Sequence, residues 1–459
     1  MQHVLLIDFG STYTKVTVVE LKQEEIIGTA AAGTTIDTNI MEGMNQALAQ
    51  IPEPKGGWNF VRKLACSSAA GGLKMIAIGL VKELTAEAAR RAALGAGARV
   101  LEVFSYELTA QDLEKIVSAQ PDILLLAGGT DGGNKEILLK NAERLCELPM
   151  SVPVVVAGNK VVSTQAVELL KRRHFPVVLA DNVMPELNVL DVDSARKAIR
   201  DLFLSQIIQA KGLDKAEAFL ERVLMPTPAA VLSAAELLAK GYEEEAGLGE
   251  LLIIDVGGAT TDVHSLASGD PSKPGVMLRG LPEPYAKRTV EGDLGMRYSA
   301  ESLVVSSDRR LIQYLGWSAE EVKAQLNMCK LEPWWIPKNE REYQFDTALG
   351  RVAVELAVKR HAGMLEVVYT PFGVSYVQQG KDLTQLPVVI GTGGVLLHHS
   401  RPIEILQGVL FDSSEATVLK PQNPTFYLDQ KYILAAMGLL REIEPLKALR
   451  MMKKYLLKL

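Results

Sequence analysis

Two hydrophobic textures alternate along the chain. Val4–Asp8 is a short apolar run, the pattern of a buried strand. Lys15–Leu21 and Glu25–Gly33 follow as further strands, so the chain opens on a meander. Gly43–Gln50 reads as a short helix, and Leu64–Ser68 and Leu73–Gly79 as strands about the turn Ala69-Ala70-Gly71-Gly72. From about residue 85 to 205 the texture changes. Apolar strands at Arg99–Phe104, Asp122–Ala127, Val152–Ala157 and Pro176–Ala180 are separated by helical segments such as Ala110–Ala119, Lys135–Glu147 and Thr164–Arg173. Such alternation predicts a parallel sheet with crossover helices. Past Pro226-Thr227-Pro228, Ala229–Lys240 is an Ala- and Leu-rich helix. A largely helical middle follows from about Ser299 to Met364, and Gln430–Leu440 is a small-residue helix. The expected organisation is a first half at 1–84, an inserted α/β domain at 85–205, a linker and helix at 206–250, and a second half at 251–459.

Length supports that division, because 459 residues exceed what one simple core accommodates. The net charge of −6 speaks against nucleic-acid binding, which needs clustered Lys and Arg. Lys171-Arg172-Arg173 and the basic tail from Arg450 to Lys458 read as solvated helix faces. Cys66, Cys146 and Cys329 show no CxxC spacing, which fits small reduced thiols rather than a disulfide framework or an iron–sulfur cluster. No signal-peptide pattern and no run of ~20 apolar residues is visible. The expected location is cytoplasmic, with no membrane partner.

The chemistry lies in a phrase that occurs twice. Leu5-Leu6-Ile7-Asp8-Phe9-Gly10-Ser11-Thr12-Tyr13-Thr14-Lys15-Val16 nearly recurs as Leu252-Ile253-Ile254-Asp255-Val256-Gly257-Gly258-Ala259-Thr260-Thr261-Asp262-Val263. Each copy is an apolar strand ending in Asp, a Gly-rich turn with hydroxyls, and a second strand. Glycine lets backbone amides approach an anion, and consecutive amides form a concave nest for phosphate oxygens. Gly10 with Ser11, Thr12 and Thr14, and Gly257 and Gly258 with Thr260, Thr261 and Asp262, are the candidate nucleotide contacts. Lys15 is placed to neutralise a phosphate. Asp262 stands at the matching position of the second copy, so the copies are not chemically equivalent. Carboxylates repel phosphate unless a cation intervenes, so Asp8 and Asp255 are the candidate partners of Mg²⁺ and the candidate catalytic groups, one of them orienting the attacking water. A third turn, Gly391-Thr392-Gly393-Gly394, lies where an adenosine contact is expected. Taken singly, each hairpin is an ordinary turn closing a β-ribbon. Two of them with a third glycine turn point to ATP or ADP. Neither a Walker loop nor a GxGxxG fingerprint is present.

This pattern resembles the actin, sugar-kinase and heat-shock-chaperone ATPase superfamily. The resemblance implies an α/β fold of duplicated actin-like (ribonuclease H-like) halves facing a nucleotide cleft, with the parallel α/β domain inserted in the first. Pro228-Ala229-Ala230 looks like the start of one connecting helix and Ala435-Ala436-Met437-Gly438 part of the other. One departure stands out: the heat-shock chaperones have a Glu where this chain has Thr227. Within the superfamily, four strings look like the glutamate mutase accessory family, often labelled MutL or GlmL and unrelated to the mismatch-repair protein of that name. They are 7–15, Gly128-Gly129-Thr130-Asp131-Gly132-Gly133-Asn134, 255–265 and Val290-Glu291-Gly292-Asp293-Leu294-Gly295-Met296-Arg297.

That resemblance implies an ATP-dependent reactivating chaperone for an adenosylcobalamin-dependent mutase, such as glutamate mutase or an amino-acid aminomutase. It also implies weak Mg²⁺-dependent ATPase activity; a homodimer is left open. The DxHxxG string of base-off cobalamin domains is absent, so no tightly bound cobalamin is expected. His174, His264, His361, His398 and His399 read as packing or surface residues. The alternatives are a small-molecule kinase of the same fold and a non-enzymatic actin-like scaffold. Trp334-Trp335 reads either as an exposed anchor for the client or as a core pair. Asp293 reads either as part of a loop beside the nucleotide or as a helix cap.

Overall fold

The computed structural model describes residues 2–10, 13–35, 39–68, 73–93, 96–210, 222–307, 309–331, 335–371 and 373–459. They form two compact units: Met1–Val231 with Gly438–Ile443, and Leu232–Met437 with Glu444–Leu459.

The first unit opens with β1 (His3–Phe9), β2 (Tyr13–Glu20) and β3 (Glu25–Gly33), an antiparallel meander. β4 (Phe60–Ser67) lies parallel to β1 on its other side. The chain then builds a second sheet from β5 (Leu73–Gly79), β6 (Ala98–Ser105), β7 (Ile123–Leu126), β8 (Val154–Val156) and β9 (Val177–Leu179), all parallel, in the order β6-β5-β7-β8-β9. β10 (Arg222–Pro226) returns to the first sheet beside β4, giving β10-β4-β1-β2-β3. Val4 to Ile7 are all buried, because β1 is an interior strand covered on both faces.

Leu73–Gly79 belongs to the parallel sheet, not to the opening sheet with Leu64–Ser67. The parallel region therefore starts ahead of residue 85. Met75, Ile76, Ala77 and Ile78 are completely buried, as an interior parallel strand requires. The turn Ala69-Ala70-Gly71-Gly72 lies outside the described residues. One apolar cluster runs from Ile7 and Ala65 through Met75 and Ala89 to Ile199 and Phe203, so the two sheets of this unit share a core.

In the second unit a short ribbon, β11 (Gly241–Tyr242) and β12 (Glu245–Ala246), precedes β13 (Leu251–Val256) and β14 (Thr261–Leu266). Then come β15 (Val276–Leu278), β16 (Ala286–Glu291), β17 (Met364–Thr370), β18 (Gly373–Gln379), β19 (Val388–Thr392), β20 (Thr425–Asp429) and β21 (Leu456–Lys458). The main sheet runs β16-β14-β13-β19-β20-β21. β13 is antiparallel to β14, β14 to β16, and β19 and β20 follow in parallel. The first unit has the same scheme: a central strand, a meander on one side and two parallel strands on the other. The fold is α/β, and this repeated five-strand order is the duplicated actin-like, ribonuclease H-like arrangement. The 22-residue helix Glu340–His361 lies in the core of the second unit, with Phe345, Leu349, Val352 and Val358 fully buried.

Two chain segments of the first unit approach closely at Ala230 and Gly438. A Cβ built on Gly438, in Leu434–Arg441, would lie 1.9 Å from the carbonyl oxygen of Ala230, in Thr227–Lys240. Only glycine permits that approach. Among the described residues no helix is long and apolar enough to cross a membrane.

Two histidines are buried here, His264 on β14 and His361 at the end of the long helix. His361 is linked to Ser265 through Nε2 at 2.8 Å and to Thr289 through Nδ1 at 2.9 Å. Burial, and then Lys287, Lys381 and His264, push its pKa well below the ordinary range. Burial, and then Arg288, push His264 down to about 3. Both imidazoles are neutral in the folded chain, whereas an unfolded histidine titrates near ~6.5. Their contribution to stability is therefore complete above that value. It is lost as pH falls toward the depressed folded values, by up to about 1.4 kcal/mol per pH unit for each group. Urea midpoints should fall between pH 6.5 and 5, above the range where carboxylates dominate, and His264→Gln should flatten that slope. An unchanged slope in the variant would contradict the assignment.

Candidate functional site

The first hairpin turns tightly after Asp8. The Gly10 amide donates to the carbonyls of Asp8 and Tyr13, both at 3.1 Å, and a Cβ on Gly10 would meet the Tyr13 oxygen at 2.5 Å. Thr14 is completely buried, and its hydroxyl lies 3.2 Å from that of Thr34, which in turn donates to the Gly10 carbonyl at 2.8 Å. Thr14 thus braces the turn from beneath. Lys15 stands opposite Asp8 in the β1–β2 register. Ser11 and Thr12 lie outside the described residues.

Asp8 has neighbours that sequence spacing did not reveal. Cys66 is its partner on β4, and Thr227 follows the end of β10. The Thr227 hydroxyl donates to Asp8 Oδ1 at 2.5 Å, and the Cys66 thiol approaches the same oxygen at 3.6 Å. Burial first, and then the Asp8 charge, push the Cys66 thiol well up, so it stays protonated.

In the second unit the Gly257 amide closes the turn onto the Thr260 carbonyl at 2.9 Å. The carbonyls of this turn face a single segment. Met296 N donates to Gly257 O at 3.1 Å, and Arg297 N and Tyr298 N donate to Gly258 O at 2.8 and 2.9 Å. The Ser299 hydroxyl donates to Ala259 O at 2.9 Å. The fully buried Thr261 hydroxyl donates to Leu294 O at 2.7 Å. Thr261 is therefore spent on bracing, like Thr14. Asp262 is paired with Arg288 at 2.9 Å, which explains how a carboxylate sits where the first hairpin has Lys15.

The third turn joins the second hairpin through the sheet. β19 runs parallel to β13 with Thr392 opposite Asp255. Gly393 has φ +102°, and a Cβ there would meet Asp255 Oδ1 at 2.6 Å and Val256 O at 2.5 Å. Thr392 donates to Asp429 Oδ2 at 3.2 Å, and Asp429 also accepts from the amides of Ile433 and Leu434. Gly394 opens the short helix Gly394–His398. Beyond it, His399, Ser400 and Arg401 line a cavity of about 200 Å³ together with Tyr343, Thr347 and Arg351 of the long helix, and His399 Nε2 lies 3.0 Å from the Thr347 hydroxyl.

The segment over the second hairpin is bolted to the long helix at two points. Arg297 contacts Asp346 at 2.8 Å, both nearly buried, and lies over the Trp335 ring at 5.3 Å. Arg360 holds Asp293 with two bonds, at 2.7 and 2.8 Å, and Glu291 with a third at 2.6 Å. The hydrogen bonds from Arg360 are the main reason the Asp293 carboxyl is lowered to about 2. Asp293 is therefore not the cap of the following helix, Ala300–Ser306, whose N-cap is Ser299. Trp335 is 5% exposed and is a packing residue, not a surface anchor; Trp334 lies outside the described residues. Asp346 and Arg360 could not be found by local spacing, since they reach the segment from a distant helix.

The Gly128–Asn134 loop of the parallel sheet is held from within. Asn159 is completely buried; it accepts from Gly132 N and donates to the carbonyls of Gly133 and Asn134. Asn182 donates to Gly129 O and to Asp131, and Asp131 accepts from Lys160 N. Three strand-end loops are thereby welded together.

Comparison with known proteins settles the family. A model of the family described as MutL protein matches residues 4–456. The chain belongs to the MutL family. Protein MutL of Clostridium tetanomorphum is 56% identical over 461 residues, spanning 100% of both chains. Among solved structures, the chain is similar to component A of (R)-2-hydroxyglutaryl-CoA dehydratase from Acidaminococcus fermentans (11% identity, 99% of each chain, TM-score 0.31). It is also similar to the activator of 2-hydroxyisocaproyl-CoA dehydratase from Clostridium difficile with bound ADPNP (12% identity, 98% of this chain and 96% of that one, TM-score 0.29).

The packing of Gly393 on Asp255 makes a direct prediction. Gly393→Ala combines an unfavourable φ with a carboxylate contact and should destabilise the protein by about 2–4 kcal/mol. Gly394→Ala, at a residue with open space around it, should cost less than about 1 kcal/mol. Urea unfolding of the two variants side by side checks this; equal midpoints would show that the turn does not press on Asp255.

Proposed function

We propose that the chain is an ATP-dependent reactivating chaperone for an adenosylcobalamin-dependent carbon-skeleton mutase or aminomutase, with weak Mg²⁺-dependent ATPase activity. The observation that carries the nucleotide part is the repeated placement of a carboxylate and a glycine turn. Asp8 and Asp255 end the central strand of two sheets with the same order, and each is followed by a tight hairpin. In the second hairpin the carbonyls of Gly257, Gly258 and Ala259 are engaged by the 296–299 segment and the Gly257 amide closes onto Thr260, so the amides of Gly258, Ala259 and Thr260 are the groups left to an anion. Gly10 closes the first phosphate loop as Gly257 closes the second, with Lys15 as that loop's cation. The Gly391–Gly394 turn takes the adenosine, and the cavity lined by Tyr343, Arg351 and Arg401 suits the base, which stacks on aromatic rings and guanidinium planes.

Among the described residues, no group of three or more His, Cys, Asp and Glu side chains is arranged to hold a metal ion. That fits Mg²⁺ carried by the nucleotide, since this ion keeps waters and phosphate oxygens and takes only one or two carboxylates. Asp8 in the first unit and Asp255 in the second are each a candidate partner of the ion, which would supply positive charge against the phosphates. Thr14 and Thr261 keep the two turns in shape, and Asp255 or Asp8 orients the attacking water.

The client assignment rests on the resemblance to the glutamate mutase accessory family and on membership of the MutL family. An adenosylcobalamin mutase stalled with damaged cofactor needs work at its own interface to release it, and an actin-like clamp supplies a two-state element biased by the γ-phosphate.

ATP hydrolysis should be measured with purified protein, alone and with cobalamin-inactivated glutamate mutase or aminomutase. Slow turnover is expected, together with ATP-dependent recovery of mutase activity. Asp255→Ala should lower turnover by about a hundredfold or more. Turnover without recovery would turn attention to a small-molecule kinase, and absence of ATP binding would remove the central inference.

A further inference from the structure

The surroundings of Asp8 go beyond a carboxylate at a strand end. Asp8, Cys66 and Met225 lie abreast on β1, β4 and β10, three adjacent parallel strands. The chain leaves β10 at Pro226 and enters the helix Thr227–Lys240 at once, which sets Thr227 over the end of β1. Two donors then converge on one oxygen: the Thr227 hydroxyl at 2.5 Å from Asp8 Oδ1 and the Cys66 thiol at 3.6 Å.

A hydroxyl carries one proton, so Thr227 cannot donate to both Asp8 and Cys66 Sγ, from which it is 3.7 Å. The ionised carboxylate is nearer and is the stronger acceptor. The first turn of the 14-residue helix adds positive potential on the same side. Both contacts fall on Oδ1, so Oδ2 is the oxygen left to a ligand. A glutamate at 227 would bring a second negative charge against Asp8. A threonine adds no charge and fixes the rotamer of the one that is there.

We propose that Thr227 is a positioning residue: with the Cys66 thiol it clamps Oδ1 of Asp8 and so aims Oδ2 at the metal–nucleotide complex. This rests on the nucleotide site proposed above. Thr227 touches neither metal nor phosphate; it acts through Asp8. Cys66 is the lesser partner, because a thiol is a weak donor.

The test uses the full chain with Thr227→Val, Thr227→Ala, Thr227→Ser and Cys66→Ala. Three quantities are read: the Mg²⁺ concentration for half-maximal ATP hydrolysis, Mn²⁺ affinity in the presence of a non-hydrolysable ATP analogue by electron paramagnetic resonance, and the thermal midpoint. Losing a hydrogen bond to a charged group should raise the half-saturating Mg²⁺ by about tenfold to a hundredfold in Thr227→Val. Mn²⁺ affinity should weaken in parallel. Thr227→Ser should stay within about threefold of the parent, and Cys66→Ala should shift it by less than about fivefold. Thr227→Ala, which removes the hydroxyl without adding bulk, should reproduce the valine result and covers the case in which valine unfolds the protein. Metal dependence unchanged in both hydroxyl-free variants overturns the proposal, as does a defect that serine fails to rescue. If the parent protein itself binds no ATP and Mn²⁺, the nucleotide site fails first, and the positioning role falls with it.

Discussion

A strand buried on both faces can carry polar chemistry only at its ends. That constraint governs both units. β1 and β13 each lie between an antiparallel and a parallel neighbour, and their apolar runs have no exposed face. The first residue free to be ionised is the aspartate where each run stops, and the next residues must leave the sheet at once. Glycines make that exit possible: Gly10 and Gly257 both bring their amides back onto the carbonyl three residues on. The carboxylate and the turn of amides are thus one consequence of burying the strand, and the chain builds it twice.

The turns are held by groups that do not face a ligand. Thr14 is committed beneath the first hairpin, and Thr261 reaches a backbone carbonyl of the segment that covers the second. That segment is anchored by Arg297 on Asp346 and Arg360 on Asp293. The first pair is almost fully buried, so it adds little net stability, yet removing either partner would leave an uncompensated charge at a cost of about 3–5 kcal/mol. Such a pair moves as a unit with what it joins. A displacement of the Gly258 turn is therefore coupled to the long helix Glu340–His361, on which the walls of the neighbouring cavity are also built.

Much of this was legible in the sequence because it is local. The apolar runs gave the strands, strand–helix alternation gave the parallel sheet, and the repeated Asp-Gly phrase gave the two hairpins. What was not legible is what only the sheet assembles. Leu64–Ser68 and Leu73–Gly79 read as two strands about one turn, yet the two-faced burial of the second carries it to an interior place in another sheet. Thr14 and Thr261 match the composition of phosphate loops, but alternation along a strand turns both inward. Asp346, Arg360 and Cys66 gave no signal, since each meets its partner across a long sequence separation. The four-glycine loop gave a signal that pointed two ways. It is filled by Asn159 and Asn182, from the two strand ends that had seemed only turns.

The contrast between Thr227 and Asp262 shows how the two halves diverge while keeping one frame. In the first unit a neutral hydroxyl meets the strand-end aspartate, and Lys15 stands opposite it. In the second the position of Lys15 is taken by an aspartate, whose charge is met by Arg288 from the next strand, and the strand-end aspartate is pressed instead by a glycine backbone. A neutral donor and a backbone wall fix a carboxylate without neutralising it. An arginine or lysine in direct contact would fix it and also cancel the charge that a cation–phosphate complex requires. The two copies keep one frame of central strand, aspartate and glycine turn, and differ in the residues that surround the carboxylate.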